Sequence, residues 1–464
     1  MERRQFVKEV ANKMRKNMCD LFIGSGISAP SGFPTWKKFL LPYLESIGIT
    51  LKEEEDLPLL AQYIVNKNMG NRNIISDAIF NTFAEEYPLN KYHNIISRFP
   101  VRTVWTTNYD NLLERTFSDR NPRVVSLEDS LVHPYNDTGL NIIKLHGCAK
   151  TAAKDIVLTK EDYDCFQFNK PKFAQRLREA IINKSILFLG YNYQDPNIQL
   201  IMTQAYHMMN EITNSHFILM CEITKEDGEN DESFNQRKVR FDLWISELNR
   251  LGIRELVVPK SEYASVLLEI DRKAHESCIF VTGSHATASP EVEKRAQNIG
   301  RFLAEKDEVI LNNGQSTGIG SIVLSSFMQH IIQNKEDMNK RIKIFPNPYI
   351  ASPDYEDDPN LIPDLKSVRL SLVTNSEFIF AFSGGIGTIA EIEVARSKGR
   401  IVLPIICEKN DYDNPAIKRI LDDESNVEML KELVTNYMEI IEKREVPEDE
   451  DVKKAIQEII DGKI

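Results

Sequence analysis

Residues 19–28 constrain the fold most: they read Cys-Asp-Leu-Phe-Ile-Gly-Ser-Gly-Ile-Ser, a short apolar run that ends in two closely spaced glycines. The apolar run is typical of a buried strand. Glycines directly after a strand let the backbone turn tightly and approach a neighbouring group closely. If a helix follows, its free backbone N–H groups can bind a phosphate. The stretch therefore predicts a strand that leads into a nucleotide-binding turn, although a tight turn without a ligand has the same pattern.

The next eight residues, 29–36, read Ala-Pro-Ser-Gly-Phe-Pro-Thr-Trp and show no helical period. This composition predicts a stiff loop that is rich in turn residues. Long loops in compact domains are often functional. Because the loop carries Phe33 and Trp36, we expect it to pack on a ligand.

Short apolar runs alternate with longer helical patterns along the whole chain. Strands are predicted at residues 19–24, 101–106, 141–145, 185–190, 216–221 and 255–258, and again at 277–281, 309–312, 341–345, 377–382 and 401–406. Such alternation predicts parallel sheets whose strands are connected by helices. We therefore expect an α/β protein with two Rossmann-like domains, residues 1–272 and 273–464, whose parallel sheets are flanked by helices.

Composition narrows the possible partners and the compartment. The net charge is −12, and no stripe of Lys and Arg with interleaved aromatics is present, which disfavours nucleic acid. The six cysteines form no Cys-x-x-Cys pair, which argues against structural zinc and against a disulfide framework. No apolar run of membrane-spanning length and no signal peptide is visible. We expect a cytoplasmic protein with reduced thiols, no metal cofactor and no membrane partner.

Polar or glycine-rich residues follow four predicted strands of the first half. They are the Gly-Ser-Gly-Ile-Ser turn, residues 106–110 (Thr-Thr-Asn-Tyr-Asp), His146-Gly147 and residues 190–195. Because ligands bind at the carboxyl ends of parallel strands, we expect these segments to converge on one site. Two alternatives remain open. Asn108 and Asp110 could cap the following helix, and His146 could be an ordinary turn histidine.

Three of these motifs, GSGIS followed by SGFPTW, TTNYD and KLHG, resemble the sirtuin family in its sirtuin-like NAD-hydrolase branch, over about the first 270 residues. The resemblance implies a Rossmann-like fold that binds NAD+. It also implies that Asn108 holds the nicotinamide ribose and a water, and that His146 is the general base. The NAD+-binding residues that we assign with it are Gly24, Ser25, Gly26, Ser28, Phe33, Asp110 and Gly190.

Two departures from the family pattern bear on the reaction. Sirtuin deacylases carry a four-cysteine zinc module after the His-Gly, whereas this region has only the separate Cys148 and Cys165. Deacylases usually have Gln before the key Asn, where this chain has Thr107. The simpler chemistry is loss of nicotinamide to water, which needs a positioned water and a base. The Asn108 amide offers both a donor and an acceptor for that positioning.

The second half contains three glycine turns, near residues 280–285, 312–320 and 382–391, which together predict a nucleotide cradle. The third turn resembles the Gly-Gly-x-Gly-Thr-x-x-Glu segment of the SLOG-like nucleotide-binding superfamily, although Ser383 replaces the Pro of its phosphoribohydrolases. A capping box would also explain Thr388 and Glu391. Arg369 matches the family's upstream Arg and suits a phosphate, but it could lie on a solvated helix face. The predicted signal-binding residues are Gly283, Ser284, Arg369, Gly384, Gly385, Gly387, Thr388 and Glu391.

The order of the two halves resembles that of Thoeris anti-phage effectors. This resemblance implies that a partner enzyme with a TIR domain makes a cyclic ADP-ribose isomer, that the SLOG-like domain binds it, and that the sirtuin-like domain then depletes NAD+. An unrestrained NAD+ hydrolase would poison its own cell, so a ligand must shift the chain from an inactive to an active state. Symmetric assembly would steepen that response, and we expect a homotetramer.

Three other functions remain open on sequence grounds. The chain could be an NAD-dependent protein deacylase, or a sensor whose two halves bind nucleotides without reaction. The second half could itself be a phosphoribohydrolase. Release of nicotinamide from NAD+, with and without cyclic ADP-ribose isomers, distinguishes NAD+ hydrolysis from the deacylase and the sensor.

Overall fold

A computed structural model describes residues 1–50, 56–131, 139–150, 155–191, 195–208, 215–226, 228–275, 278–284, 289–307, 309–315, 318–347 and 362–460. The chain divides into two compact units, Met1–Ala274 and His275–Ile464. The sequence placed the boundary between residues 272 and 273. Each unit has its own parallel sheet flanked by helices, so the predicted α/β class with two Rossmann-like folds is confirmed.

The sheet of the first unit has seven parallel strands. They are β1 (Cys19–Ile23), β2 (Thr103–Thr106), β3 (Arg123–Val125), β4 (Asn141–Lys144), β5 (Ser185–Leu189), β6 (His216–Cys221) and β7 (Ile253–Val258). Their order is β3-β4-β2-β1-β5-β6-β7, so the direction of winding reverses between β1 and β5. Only β3 was not predicted, because this edge strand has three residues, of which Val125 alone is buried.

Helices cover both faces of this sheet. They are α1 (Arg3–Arg15), α2 (Ser25–Ser28), α3 (Trp36–Ser46), α4 (Leu57–Lys67), α5 (Asn73–Phe83), α6 (Lys91–Ile96), α7 (Leu112–Thr116), α8 (Lys160–Asp164), α9 (Phe166–Asn169), α10 (Pro171–Asn183), α11 (Pro196–Met208), α12 (Asp231–Arg250) and α13 (Tyr263–His275). Alternation along β1 separates the two cores: Leu21 packs with α1 and α13, whereas Phe22 packs with α10 and α11. Both faces of the sheet are therefore buried by helices, as is usual for a parallel sheet.

Helices α3, α4 and α5 form a third apolar cluster, and this cluster corrects the predicted ligand loop. Residues 29–36 are not a long loop: Ala29–Ser31 form a 3-10 turn directly after α2, and Thr35 caps α3. Phe33 is buried in the cluster, with its ring 5.7 Å from Phe83 and 4.5 Å from Tyr87. Packing in this core gives Phe33 a structural role beside its predicted NAD+-binding role.

The second unit has a smaller parallel sheet with the order β10-β9-β8-β11-β12. Its strands are β8 (Cys278–Thr282), β9 (Ile310–Asn313), β10 (Ile342–Ile344), β11 (Phe378–Ala381) and β12 (Ile401–Pro404). Its helices are α14 (Pro290–Ala304), α15 (Ile319–Gln333), α16 (Met338–Arg341), α17 (Ile362–Thr374), α18 (Ile386–Ser397), α19 (Pro415–Leu421), α20 (Glu424–Leu433), α21 (Thr435–Glu442) and α22 (Asp449–Ile460). Ser289 caps α14 and Pro290 begins it, which confirms the predicted start of this helix.

In the described part of the chain, no helix combines the length and the apolar character that crossing a bilayer requires.

A buried ion pair joins the starts of β11 and β12. Arg400 Nη1 lies 2.8 Å from Glu377 Oε2, and both side chains are almost fully buried. Arg400 Nη2 also donates to the Thr374 carbonyl at 2.5 Å. Loss of the Arg400 side chain would leave the buried Glu377 carboxylate without its countercharge.

We predict that Arg400→Ala lowers the free energy of local opening at β11 and β12 by about 3–5 kcal/mol. The matched control is Arg419→Ala, because the Arg419–Glu393 pair is 53% exposed at both side chains, and an exposed pair contributes about 0–1 kcal/mol. Hydrogen exchange measured by mass spectrometry on peptides that cover both strands gives these energies. Equal exchange in the two variants would contradict the prediction.

Candidate functional site

The turns after β1 and β5 are in direct backbone contact. The Gly24 N–H donates to the Leu189 carbonyl at 2.9 Å, and the Gly26 N–H donates to the Gly190 carbonyl at 2.9 Å. Gly190 has φ +60°, and a Cβ there would lie 2.5 Å from the Ile27 nitrogen. This contact lies where the strand order reverses, which is where open α/β sheets bind ligands. Close approach of two turns is thus a structural reason for these glycines.

Asn108 is held against the β1 turn by a chain of hydrogen bonds. Its Nδ2 donates to Ser28 Oγ at 3.2 Å, and its backbone N–H donates to Thr106 Oγ1 at 3.0 Å. Thr106 Oγ1 in turn donates to the Ile23 carbonyl at 2.8 Å. Asn108 and Ser28 are both buried, whereas Ser25 is exposed. The Asn108 side chain thus binds across to α2, which differs from the capping role that the sequence left open.

Asp110, by contrast, has the capping contact. Its Oδ1 accepts a hydrogen bond from the Leu112 N–H, at the start of α7, at 3.0 Å. Its backbone carbonyl accepts from Lys144 Nζ, and Lys144 also pairs with Glu114 at 2.8 Å. These contacts tie α7 to the ends of β2 and β4. They give Asp110 a structural role beside the predicted binding role.

His146 follows β4 and is buried in an aromatic enclosure. Its ring lies edge-on to Tyr163 at 5.3 Å and to Phe166 at 6.1 Å. Its Nε2 lies 3.2 Å from Asp195 Oδ2, but among the described residues no contact of this atom has hydrogen-bond geometry. Among the described residues, this imidazole nitrogen is thus buried beside the Asp195 carboxylate without a hydrogen bond.

Burial controls the protonation of this pair. It lowers the pKa of His146, and the neighbouring Asp195 carboxylate opposes that shift. Burial raises the pKa of Asp195, which His146 opposes in turn. His146 therefore stays neutral near pH 7 and can accept a proton.

Asp195 is the residue of this site that the sequence analysis did not assign. Its Oδ1 accepts hydrogen bonds from the Asn197 N–H at 2.9 Å and the Ile198 N–H at 3.3 Å, at the start of α11. Tyr163 also hydrogen-bonds to it. An Asp directly before Pro196 is a helix-start signal that could be seen in the sequence. Its closeness to His146 could not, and residues 192–194 of the same predicted segment lie outside the described residues.

Both aromatic residues of the predicted ligand loop pack against the cluster of α3 to α5, in which Phe33 is buried. Trp36 also stacks on Tyr163, with ring centroids 6.0 Å apart and planes at 18°, so it lies directly behind the His146 enclosure. Trp36 thus links this cluster to the site.

Strand register brings Asn108 and His146 to the same edge of the sheet. β2 and β4 are neighbours, and Thr106 pairs with Lys144. Asn108 and His146 each stand two residues beyond this pair. The edge thus presents a carboxamide, an imidazole and a carboxylate, which can position a water and take its proton. Within the described ranges, no group of three His, Cys, Asp or Glu side chains could hold a metal ion.

The second unit repeats the contact between turns. The Ser284 N–H donates to the Ser383 carbonyl at 3.1 Å, after β8 and β11. Gly283 has φ +153°, and a Cβ there would lie 2.7 Å from Phe382 Cβ. The strand order reverses here too, between β8 and β11. The Ile319 N–H, from the turn at residues 312–320, also donates to the Gly283 carbonyl at 3.1 Å, so described residues of all three predicted glycine turns meet. Ser316, Thr317 and His285 lie outside the described residues.

The capping-box alternative for Thr388 and Glu391 is wrong. α18 begins at Ile386 with Gly385 as its N-cap, so Thr388 lies inside the first turn and packs against Gly384. Glu391 Oε2 accepts a hydrogen bond from Thr282 Oγ1, at the end of β8. Gly385 is exposed with open space above it, and Gly387 lies in the first turn of the helix.

A cavity of about 350 Å³ adjoins these turns. Ser383 Oγ donates to Asp411 Oδ1 at 2.5 Å, and the Gly384 N–H donates to Asn414 Oδ1 at 3.3 Å. The lining also includes Glu408 and Asp413, and its described residues include no Lys or Arg. Arg369 is half-buried on α17, which packs against α18. The acidic side of the site was not predicted from the sequence, because residues 408–414 carry no recognisable motif.

Comparison with known families agrees with this geometry. Residues 102–241 match the model of the SIR2-like domain. Residues 262–462 match the model of the Sir2- and TIR-associating SLOG family. The first match contains Asn108, His146 and Asp195, and the second contains all eight predicted signal-binding residues.

Curated relatives resemble most of the chain. The NAD(+) hydrolase ThsA of Enterococcus faecium is 27% identical over 431 residues, which cover 87% of this chain and 88% of the relative. That of Bacillus cereus (strain MSX-D12) is 27% identical over 338 residues, or 71% of this chain and 70% of the relative. Defense-associated sirtuin 2 of Bacillus subtilis is 25% identical over 46% of this chain and 22% of its own length. The chain thus resembles the ThsA proteins over most of its length, and a match to the SIR2-like domain precedes a match to the Sir2- and TIR-associating SLOG family.

Proposed function

We propose that the first unit hydrolyses NAD+ to ADP-ribose and nicotinamide. The observation that carries this proposal is the placement of Asn108 and the buried, neutral His146 at adjacent strand ends. The relatives named NAD(+) hydrolase support the same reaction. NAD+ is the substrate here, and the reaction needs no metal.

In this reaction the bond between the ribose C1′ and the nicotinamide nitrogen breaks, and its electron pair leaves with neutral nicotinamide. A water attacks the positively charged ribose carbon, and its proton passes to His146. The Asn108 amide orients the ribose hydroxyls and the water, since it has both donors and acceptors. Asp195, 3.2 Å from Nε2, stabilises the imidazolium that forms. Positioning and proton transfer are what the described side chains supply.

We predict that His146→Ala and Asn108→Ala each lower kcat for NAD+ cleavage about 10²- to 10⁴-fold, because each removes a group that acts on the water. Nicotinamide release, measured by liquid chromatography in the activated state, gives the rates. The matched control is His207→Ala, since His207 is exposed on α11 and should leave the rate unchanged. Full activity of either site variant would contradict the assignment.

The pH dependence of NAD+ cleavage tests the His146–Asp195 pair. Burial lowers the pKa of His146, so the acidic limb of kcat/KM should fall below the ordinary value of about 6.5. The Asp195 carboxylate favours the protonated imidazole, so Asp195→Asn should lower this pKa further and move the limb to more acidic pH. Profiles of kcat/KM for both enzymes, from about pH 4 to about pH 8, measure the shift. A limb that moves towards higher pH in Asp195→Asn would show that Asp195 does not act on His146 in this way.

We propose that the second unit binds a nucleotide signal, a cyclic ADP-ribose isomer made by a partner enzyme with a TIR domain, and that this binding activates the first unit. The exposed Gly385 turn supports phosphate binding, because no described side chain caps the start of α18, where the N–H groups of a helix can bind an anion. The acidic cavity suits ribose hydroxyls. A shift from mostly inactive to mostly active needs about 5.5 kcal/mol of differential affinity.

The proposed role follows from these two activities. Signal-dependent loss of NAD+ would end phage production in an infected cell, and a homotetramer in the cytoplasm would sharpen the response. The SLOG family associated with Sir2 and TIR, and the defense-associated relative, support a role in anti-phage defence.

We predict that Arg369→Ala raises the activating concentration of a cyclic ADP-ribose isomer about 10- to 100-fold, because a charge-assisted hydrogen bond contributes about 1.5–3 kcal/mol. Nicotinamide release is measured against the concentration of each isomer. Arg396→Ala is the matched control, since Arg396 is an exposed arginine of α18 that pairs with Asp423. An unchanged activation curve in Arg369→Ala would remove Arg369 from the signal site.

A further inference from the structure

Asn90 stands at the start of α6 and reaches across to the end of α2. Its Nδ2 donates to the Ile27 carbonyl at 2.8 Å and to Ser31 Oγ at 2.9 Å. Ile27 and Ser31 are both buried, and they lie 63 and 59 positions before Asn90 in the chain. One side-chain amide thus joins α6 to the segment that directly follows the predicted NAD+-binding turn.

The start of α6 fixes the orientation of this amide. Asn90 Oδ1 accepts a hydrogen bond from the Tyr92 N–H at 2.9 Å, and the Asn90 N–H donates to His93 Nδ1 at 3.4 Å. Because the amide oxygen is held by the helix, the NH2 group faces α2. The Ile27 carbonyl requires the same orientation, since a carbonyl can only accept. The side chain therefore has two separate contacts: its oxygen caps α6, and its nitrogen holds α2.

The contact with α2 lies one residue from the side chain that holds Asn108. Ser28 directly follows Ile27, and Ser28 Oγ accepts the hydrogen bond from Asn108 Nδ2 at 3.2 Å. Ile27, Ser28 and Asn108 are all buried. In a close-packed interior, a shift of the Ile27 carbonyl also shifts its neighbour Ser28. The placement of the Asn108 carboxamide therefore depends on the Asn90 amide.

The start of α2 is held by different contacts. The Gly24 N–H and the Gly26 N–H donate to the carbonyls of Leu189 and Gly190, in the turn after β5. These backbone contacts fix the glycines of the predicted NAD+-binding turn. Loss of the Asn90 contact should therefore leave the glycines in place and displace only the end of α2.

We propose that Asn90 is a positioning residue for NAD+ hydrolysis, which holds the end of α2 so that Ser28 can orient Asn108. This inference rests on the proposed function of the first unit. Asn90 acts through Ser28 and does not touch the reacting atoms. A misplacement of about 1 Å far from the chemistry can lower a rate on the order of 10²-fold. Because the glycine turn stays in place, the loss should fall on kcat rather than on KM.

Two substitutions separate the capping contact from the contact with α2. Asn90→Asp and Asn90→Ser keep an oxygen that can cap α6, because Asp and Ser are about as favourable as Asn at a helix start. Both remove the nitrogen that donates to Ile27. Each should lower kcat for NAD+ cleavage about 5- to 50-fold and leave KM within about twofold of wild type. Nicotinamide release in the activated state gives both constants.

Asn230→Asp is the matched control. Asn230 caps α12 in the same unit, where its Oδ1 accepts from the Ser233 N–H at 2.8 Å. This substitution makes the same chemical change at a helix start and should alter neither constant. Circular dichroism at the assay temperature checks that the folded fraction of each variant equals that of the wild type.

A double-mutant cycle with Ser28→Ala tests whether Asn90 acts through Ser28. If it does, adding Asn90→Ser to Ser28→Ala should lower kcat by less than about twofold more, because coupled residues are not additive. Hydrogen exchange of peptides that cover residues 25–31 should also be faster in both Asn90 variants, whatever reaction the unit catalyses.

Three results would overturn the role of Asn90: wild-type kcat in both variants, a loss confined to KM, or a loss that multiplies fully with that of Ser28→Ala. A wild-type chain that releases no nicotinamide with any cyclic ADP-ribose isomer would instead overturn the proposed hydrolysis itself. The two failures are therefore distinguishable.

Discussion

Backbone contact between two turns is the constraint on which the first site depends. The turns after β1 and β5 meet through Gly24, Gly26 and Gly190, and the strand order reverses at this place. Because the turns are fixed to each other, α2 starts at a defined height above the sheet. Ser28 of α2 then holds the Asn108 side chain. The close packing of these glycines thus sets the position of the Asn108 carboxamide.

The chemistry of that edge depends on exclusion of water from the imidazole. Tyr163 and Phe166 enclose His146, and Trp36 packs behind Tyr163. Burial keeps His146 neutral and raises the pKa of Asp195, while each group opposes the shift of the other. An imidazole that burial keeps neutral, beside a carboxylate that can stabilise its charged form, suits the proposed uptake of one proton from water.

The two units share one architecture, but the side chains at their candidate sites differ in charge and chemistry. In each, glycine turns meet where the strand order reverses, and a helix begins beside them. The first unit presents a carboxamide and an imidazole there. The second presents Ser284, the open Gly385 turn and a cavity with three carboxylates. The same backbone arrangement therefore supports a proposed reaction in the first unit and proposed binding of a nucleotide in the second. The difference lies in the side chains that each unit carries there.

Much of the fold followed from the sequence alone, because apolar runs and glycine turns are local signals. They located eleven of the twelve strands in the described part of the chain and the helix start at Ser289, but not β3, whose edge position leaves little apolar pattern. Local pattern also pointed to Asn108 and His146 as candidates, although the capping-box interpretation was wrong and the burial of Phe33 in an apolar cluster was not foreseen. Only tertiary structure decided that Asp195 lies beside His146 and that Asp411 reaches Ser383. These contacts join residues 49 and 28 positions apart, and packing, not local preference, sets such distances.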